Sequence, residues 1–175
     1  MLHGRIDRPL VAALLILALG GLVLLYSASG GDWGLVAHQG IWLAIGLAVM
    51  SGLALTPPRY FRLIAPAFFM VVLLLLIVVL FIGAHGKGAL RWIDLGPILF
   101  QPAELMKIAL PLALAWFFHD HTPPPRWYLV FAGVAIILVP TALVVLEPDL
   151  GTAILLAGSG AMVLLLAGIH WRYVI

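Results

Sequence analysis

The sequence predicts an all-α polytopic membrane protein, and the composition and the spacing of the apolar runs are the observations that predict it. Of 175 residues, 65% are hydrophobic and only 9% are charged, and the mean hydropathy of +1.21 is far above that of soluble domains. Runs close to the roughly 20 apolar residues that span a bilayer recur along the chain. We therefore expect one transmembrane helical domain over residues 1–175, without a soluble domain. The six predicted spans are residues 9–26, 39–55, 63–82, 102–118, 127–146 and 152–169.

The first apolar run could be mistaken for a secretory signal, because Arg5 and Arg8 precede it and small residues follow it. A signal core has about 7–15 apolar residues, whereas this run is longer and five more spans follow it. The first run is therefore predicted to be a retained helix.

Proline-rich segments separate the second span from the third and the fourth span from the fifth. Thr56-Pro57-Pro58 and Thr122-Pro123-Pro124-Pro125 cannot continue a helix, so each is predicted to be a short turn. If the N-terminus is cytoplasmic, six arginines fall in inner segments, and only Lys87 and Arg91 fall in outer ones. Because basic residues are in excess on the cytoplasmic side, this distribution predicts a cytoplasmic N-terminus. The six inner residues are Arg5, Arg8, Arg59, Arg62, Arg126 and Arg172.

The connection between the third and fourth spans, residues 83–101, is the longest of the chain, and we expect a folded, partly re-entrant loop. Its glycines permit tight backbone geometry. The loop carries Arg91 beside Trp92. This pair could anchor the loop at the headgroup level of the membrane. Alternatively, the guanidinium could bind the phosphate oxygens of a lipid-linked pyrophosphate.

Glu104 and Lys107 lie in the first turns of the fourth span. An isolated charge in the middle of a bilayer costs roughly 2.5–3.5 kcal/mol on insertion scales, so such residues mark polar, protein-lined sites. Their spacing of three places both on one helix face, where they can pair. The pair could be structural, holding helices together, or it could serve a substrate or a reaction.

The segment Glu147-Pro148-Asp149 precedes the sixth span and is predicted to start that helix, with both acids at the positive end of its dipole. Capping alone would explain this pattern. A functional role requires Asp149 to face the same outer cavity as Glu104 and Lys107.

Several other functions are not indicated by the sequence. The chain has no Cys, and its six His have no metal-binding spacing. It contains no nucleotide-binding loop and no Ser-His-Asp pattern. Its nine Lys and Arg are spread over short loops instead of forming a basic patch, so no nucleic acid partner is expected.

Two strings together carry a resemblance to a known family. GALRWIDLGPILFQPAELMKIALPLALAWF and LEPDLGTAILLAGSGAMVLLLAGIHWR resemble the SEDS family of bacterial membrane proteins. The short N-terminus is more similar to the rod-shape branch of that family than to its division branch. Members have about ten membrane spans. The resemblance implies a peptidoglycan glycosyltransferase of the bacterial cytoplasmic membrane that polymerises lipid II during wall elongation. It also implies a class B penicillin-binding protein and the elongation machinery as partners, with membrane lipid around the helices.

The resemblance also implies roles for particular residues. The family's catalytic aspartate lies in a later outer loop, so no residue here matches it, and we expect this chain to be about the first half of the enzyme and inactive alone. Ala103 stands where the family usually has Ser, a change that we expect to be tolerated. A divalent cation, Mg or Mn, is possible as cofactor. The implied substrate-binding residues are Arg91, Trp92, Gln101, Asp149 and Thr152, and the implied supporting catalytic residues are Glu104 and Lys107.

Two rival functions remain open at this stage. Buried charges, and helices interrupted by Pro111 in the fourth span and Pro140 in the fifth, would also suit a flippase or transporter of a lipid-linked precursor. A non-catalytic membrane scaffold, which recruits partners through its helices, is the third interpretation.

Overall fold

A computed structural model describes residues 7–82, 84–86, 89–94 and 99–169, with the backbone alone for 8, 82, 84–86, 89–91 and 94. The chain divides into two compact units, Met1–Pro57 and Pro58–Ile175. In chain order the elements are α1 Arg8–Ala28, α2 Trp33–Leu55, α3 Pro58–Ile82, β1 Ala84–Gly86, β2 Ala89–Asp94, β3 Leu99–Phe100, α4 Pro102–His119, α5 Trp127–Leu146 and α6 Leu150–Leu166.

The first unit is a hairpin of α1 and α2. Each helix begins at an aspartate whose side chain accepts a hydrogen bond from the backbone of the first turn: Asp7 from Leu10 N at 3.2 Å, and Asp32 from Gly34 N at 2.7 Å. The turn between the helices needs left-handed backbone at Gly30 and Gly31, whose φ angles are 69° and 90°. No residue of α2 is buried, so its apolar surface is available to lipid or to other helices.

In the second unit, α4 packs against α3, α5 and α6 and forms the centre of the apolar core. The inward face of α4 carries Met106, Leu110 and Leu114, which are fully buried. These side chains meet apolar residues of the three neighbouring helices, among them Leu76 on α3 and Leu156 on α6. Burying a side chain of this size contributes about 1.5–3 kcal/mol, so the core fixes the orientation of α4.

A small antiparallel sheet, in the order β1-β2-β3, lies between α3 and α4. Strand β2 contacts both α3 and α4. It pairs with β3 through Ile93 opposite Phe100, and β3 leads directly into the first turn of α4. The predicted folded loop therefore contains strands that the sequence pattern did not indicate.

Each of the six helices overlaps one predicted apolar span, but α2 and α3 begin six and five residues before their spans, and α6 ends three residues before its span does. Four of them have the length and hydropathy to cross a membrane: Pro9–Ala28, Trp33–Leu55, Pro58–Phe81 and Trp127–Leu146. Helix α6 is apolar but shorter, with 17 residues, and α4 carries charges in its first two turns. That all six helices span the membrane, that the N-terminus is cytoplasmic and that the chain is a single domain all stay predictions. Arg5 and Arg172, which support the orientation, lie outside the described residues.

Two glycines allow α5 and α6 to pack closely. A Cβ atom placed on Gly160 of α6 would lie 2.6 Å from Ile137 Cγ1, and one on Gly133 of α5 would lie 2.8 Å from Leu164 Cδ2 and Phe118 Cζ. Small residues at such positions let membrane helices approach each other. The middle and the C-terminal half of α6 therefore pack closely against α5.

Gly160→Ala is expected to lower the thermal midpoint of the purified protein. Overpacking costs about 1–3 kcal/mol, which exceeds the roughly 1 kcal/mol that Ala gains over Gly in a helix. Gly158→Ala is the matched control, because nothing lies within 4 Å of a Cβ at that position, and its midpoint should stay the same or rise. Equal midpoints for the two variants would show that the contact at Gly160 does not limit stability.

Candidate functional site

The predicted ion pair forms at the start of α4. Lys107 Nζ lies 2.7 Å from Glu104 Oε1 and 2.7 Å from Oε2. The helix begins with Pro102, and Glu104 lies in its first turn, where the helix dipole favours a carboxylate. The dipole does nothing for Lys107 one turn further in, so Glu104 is the group that neutralises it.

The ion pair lies on the side of α4 away from the core. The side chain of Lys107 is 33% exposed and that of Glu104 is 55% exposed, whereas Met106 between them is fully buried. The described part of the chain therefore presents the pair but does not enclose it. The cleft expected around these charges stays a prediction.

Asp149 connects the start of α6 to the start of α4. Its Oδ1 accepts a hydrogen bond from Thr152 N at 3.1 Å, which caps α6. Its Oδ2 accepts a hydrogen bond from Gln101 Nε2 at 3.2 Å, and Gln101 is the N-cap residue immediately before α4. Both Gln101 and Thr152 are buried, each 8% exposed. One carboxylate thus holds the N-termini of α4 and α6 side by side. The α4 residue that it contacts, Gln101, is three residues before Glu104.

Glu147 does not start the sixth helix, and that part of the sequence prediction is wrong. Its backbone ends α5, with Glu147 N donating to the carbonyl oxygens of Leu143 and Val144 at 3.2 Å, and α6 begins only at Leu150. Glu147 therefore lies at the negative end of a helix dipole, which disfavours a carboxylate. Its side chain is also fully buried. An acid at that end of an apolar helix is the signal that could have marked Glu147 as a further candidate.

Trp92 lies on strand β2, which is joined through β3 to the start of α4. Its side chain is partly buried. Strand β2 also contacts α3 and α4 directly, so the tryptophan-bearing segment and the ion-pair helix form one local structure. Arg91 belongs to the same strand, but its side chain lies outside what the structure describes. A role for either residue in substrate binding stays a prediction.

No metal site can be assembled from the side chains that the structure describes, because they contain no group of three His, Asp or Glu. Glu104 is already paired with Lys107. The predicted divalent cation therefore does not fit these residues on their own. The arrangement is instead suited to binding an anionic oxygen at Lys107, whose ammonium has three donors and is held in place by Glu104.

The fold and this site define a multi-pass membrane protein with an ion pair on a polar helix start. The chain belongs to the FtsW/RodA/SpoVE family: the family model FTSW_RODA_SPOVE, described as "Cell cycle protein", matches residues 8–175. The predicted resemblance to the SEDS family is thereby confirmed.

Two relatives illustrate the similarity in sequence. Peptidoglycan glycosyltransferase MrdB of Escherichia coli K12 is 41% identical over 172 residues, which cover 97% of this chain and 46% of MrdB. "Probable peptidoglycan glycosyltransferase FtsW" of Neisseria gonorrhoeae is 30% identical over 215 residues, covering 97% of this chain and 46% of that protein. The chain thus spans about half the length of the relatives that it matches.

Solved structures confirm the predicted membrane fold. The crystal structure of the Thermus thermophilus rod shape determining protein RodA matches with a TM-score of 0.84 and 32% identity, over 98% of this chain and 56% of that one. A chain from "Structural coordination of polymerization and crosslinking by a peptidoglycan synthase complex" matches with a TM-score of 0.86 and 32% identity, over 97% of this chain and 50% of that one. The match to RodA and the higher identity to MrdB than to FtsW agree with the predicted rod-shape branch.

Proposed function

We propose that this chain is part of a peptidoglycan glycosyltransferase that polymerises lipid II at the outer face of the bacterial cytoplasmic membrane. The observation that carries the proposal is the Glu104–Lys107 pair on the helix start that Gln101 and Asp149 tie to α6. The printed names of MrdB and FtsW, both peptidoglycan glycosyltransferases, support it. We also propose a role in wall elongation, which the match to the rod shape determining protein RodA supports.

The reaction is a single displacement at a sugar. A hydroxyl oxygen of the acceptor sugar forms a bond to the anomeric carbon of the donor, and the bond from that carbon to undecaprenyl pyrophosphate breaks. A base must take the hydroxyl proton, and the charge that develops on the leaving pyrophosphate must be neutralised. One displacement inverts the configuration of the anomeric carbon.

Lys107 is the residue of this chain that we assign to the leaving pyrophosphate. Its ammonium is positioned by Glu104, and partial exposure leaves donors available to a second anion. Glu104 acts as a positioning residue, because it holds Lys107 in one orientation and prevents an uncompensated cation at the membrane. This division of roles predicts that loss of Lys107 affects the reaction more than it affects folding.

The remaining candidate residues are proposed to bind the substrate around this pair. Trp92 would stack against the lipid-linked sugar or its lipid, and Arg91 would bind pyrophosphate with its guanidinium. Gln101, Asp149 and Thr152 would set the position of α4 relative to α6. We propose that the base, an aspartate, and the wall that closes the cleft come from parts of the enzyme outside this chain. A divalent cation would likewise need ligands beyond the described ones, so no step is assigned to it.

We also propose a partner protein, on the basis of the structural match to a peptidoglycan synthase complex. The structural relative named for polymerization and crosslinking belongs to a peptidoglycan synthase complex. Crosslinking needs a second activity besides glycan polymerisation, and a class B penicillin-binding protein would supply it. We propose that this protein works in such a complex, together with the elongation machinery.

The proposed function is tested by incubating the purified full-length protein, with its penicillin-binding partner, with lipid II. We expect glycan strands, separated by size on a gel, together with released undecaprenyl pyrophosphate. Movement of lipid II between the leaflets of vesicles without strand formation would contradict the proposal and indicate a transporter. If the protein still binds its partner but forms no glycan strands and moves no lipid II, the result would indicate a scaffold.

A further inference from the structure

A cavity lies at the end of α4 remote from the ion pair. It has a volume of about 430 Å³ and opens between the start of α3 and the last turns of α4. Glu104 and His119 are about 15 residues apart on one helix, which is roughly 22 Å. The cavity is therefore separate from the site proposed for glycosyl transfer, and its size lies within the usual range of about 300–1,000 Å³ for small-molecule sites.

One wall of this cavity is basic. Arg59 and Arg62 line it from the first turns of α3, and His119 lines it from the last turn of α4. Spacing by three residues places the two arginines on one helix face, where like charges repel each other. Neither arginine forms an ion pair with a carboxylate among the described side chains. Within the described part of the unit, both guanidinium groups therefore lack a carboxylate in direct contact.

The histidine does not supply the missing negative charge. Arg62 contacts His119 Nε2, but an imidazole side chain carries no negative charge and so does not compensate a guanidinium. Asp120 lies 3.8 Å from the same nitrogen but is 91% exposed. Arg59 donates to Tyr60 Oη at 3.2 Å and stacks on its ring. Since each guanidinium has five N–H donors, both arginines keep donors for an added anion.

The rest of the lining forms an apolar wall. Leu112, Ala115 and Trp116 line it from α4, and Phe61 lines it from α3. The α3 segment Pro58–Phe81 is one of the helices long and apolar enough to cross a membrane. Its first turn is therefore expected near the headgroup level of a bilayer, where an exposed Trp is common. A free phosphate would use the arginines but leave this apolar wall bare.

We propose that this cavity binds an anionic phospholipid, with the phosphate between Arg59 and Arg62 and an acyl chain along Ala115 and Trp116. Basic pockets between membrane helices are known to bind anionic headgroups, and an arginine guanidinium can donate two parallel hydrogen bonds to phosphate oxygens. The apolar wall favours a lipid over a soluble phosphate, because burying its chain adds a hydrophobic contribution. The inference does not depend on the proposed glycosyltransferase activity.

The test measures lipid retention by the full-length protein in nanodiscs of mixed phosphatidylglycerol and phosphatidylcholine, followed by native mass spectrometry. The wild-type protein should retain phosphatidylglycerol and not phosphatidylcholine. Each of Arg59→Gln and Arg62→Gln should reduce this retention by about fivefold, the usual effect of one basic residue near an anionic surface. Ala115→Phe, which fills the cavity without changing charge, should also reduce it.

Arg126→Gln is the matched control, because Arg126 is an exposed arginine at the start of α5 and does not line the cavity. It should retain phosphatidylglycerol as the wild type does. Equal loss in this variant would overturn the proposal, since general surface charge would then explain retention. Equal retention in all variants would overturn it as well. Displacement of the lipid by millimolar inorganic phosphate would also overturn it, in favour of a free-phosphate site.

Discussion

Lys107→Met is expected to reduce glycan polymerisation by the full-length enzyme by about 10²–10³-fold, the cost of removing one group that stabilises developing charge. Methionine keeps the length of the side chain but cannot bind pyrophosphate oxygens. The effect on stability should be small, because an ion pair as exposed as this one contributes only about 0.2–1 kcal/mol. Polymer yield per folded enzyme, with folding judged by size-exclusion profile and thermal midpoint, measures the two effects separately.

The double variant Glu104→Gln, Lys107→Met distinguishes a catalytic ion pair from a structural one. It removes both charges together, so no cation is left uncompensated. If the pair is only structural, this variant should regain activity relative to either single change. Under our proposal it stays as inactive as Lys107→Met, whereas Glu104→Gln alone loses less because Lys107 is still present. Asp120→Asn, an exposed acid at the other end of α4, should retain full activity.

The approximate positions of the helices could be predicted because each depends on the local sequence. Apolar runs of spanning length and the prolines between them are both features of the local sequence. The aspartates that cap α1 and α2 are local signals as well, but they were not used, and the second span was predicted to begin at residue 39 although α2 begins at Trp33. The spacing of Glu104 and Lys107 is likewise local, and the pair forms as expected. These features depend on helix geometry alone, which is the same in any context.

The features that the sequence did not reveal depend on pairing between distant segments. The strands of the sheet have only two to six residues. Such short strands are stabilised by pairing with neighbouring strands more than by the β-propensity of their own residues. The hydrogen bond from Gln101 to Asp149 joins residues 48 apart, and no periodicity records it. Glu147 was assigned to the start of α6 although it follows the last residue of α5. Only three residues separate the two helices, so the local sequence did not show to which helix Glu147 belongs.

Asp149→Ala is the second substitution expected to have a large effect, because it removes two contacts at once. Loss of the α6 cap costs about 1 kcal/mol, and loss of the hydrogen bond from buried Gln101 costs roughly another 1 kcal/mol. The more important result concerns activity, because the change frees the start of α4 from α6. A displacement of about 1 Å in a positioning contact can cost 10²-fold in rate. Polymer yield should therefore fall by about that factor while the protein still folds.

Two further variants distinguish the two roles of Asp149, which are to cap α6 and to connect α6 to the start of α4. Asp32→Ala removes the cap of α2, where the carboxylate accepts from Gly34 N and Leu35 N, and it should lower the thermal midpoint slightly without affecting polymerisation. Gln101→Leu leaves the α6 cap intact and removes only the donor to Asp149, so it should reproduce most of the activity loss with a smaller change in stability. If Asp149→Ala and Asp32→Ala had the same effect on activity, the Asp149 carboxylate would be a helix cap only. The position of Lys107 would then be set by the core of α4 alone.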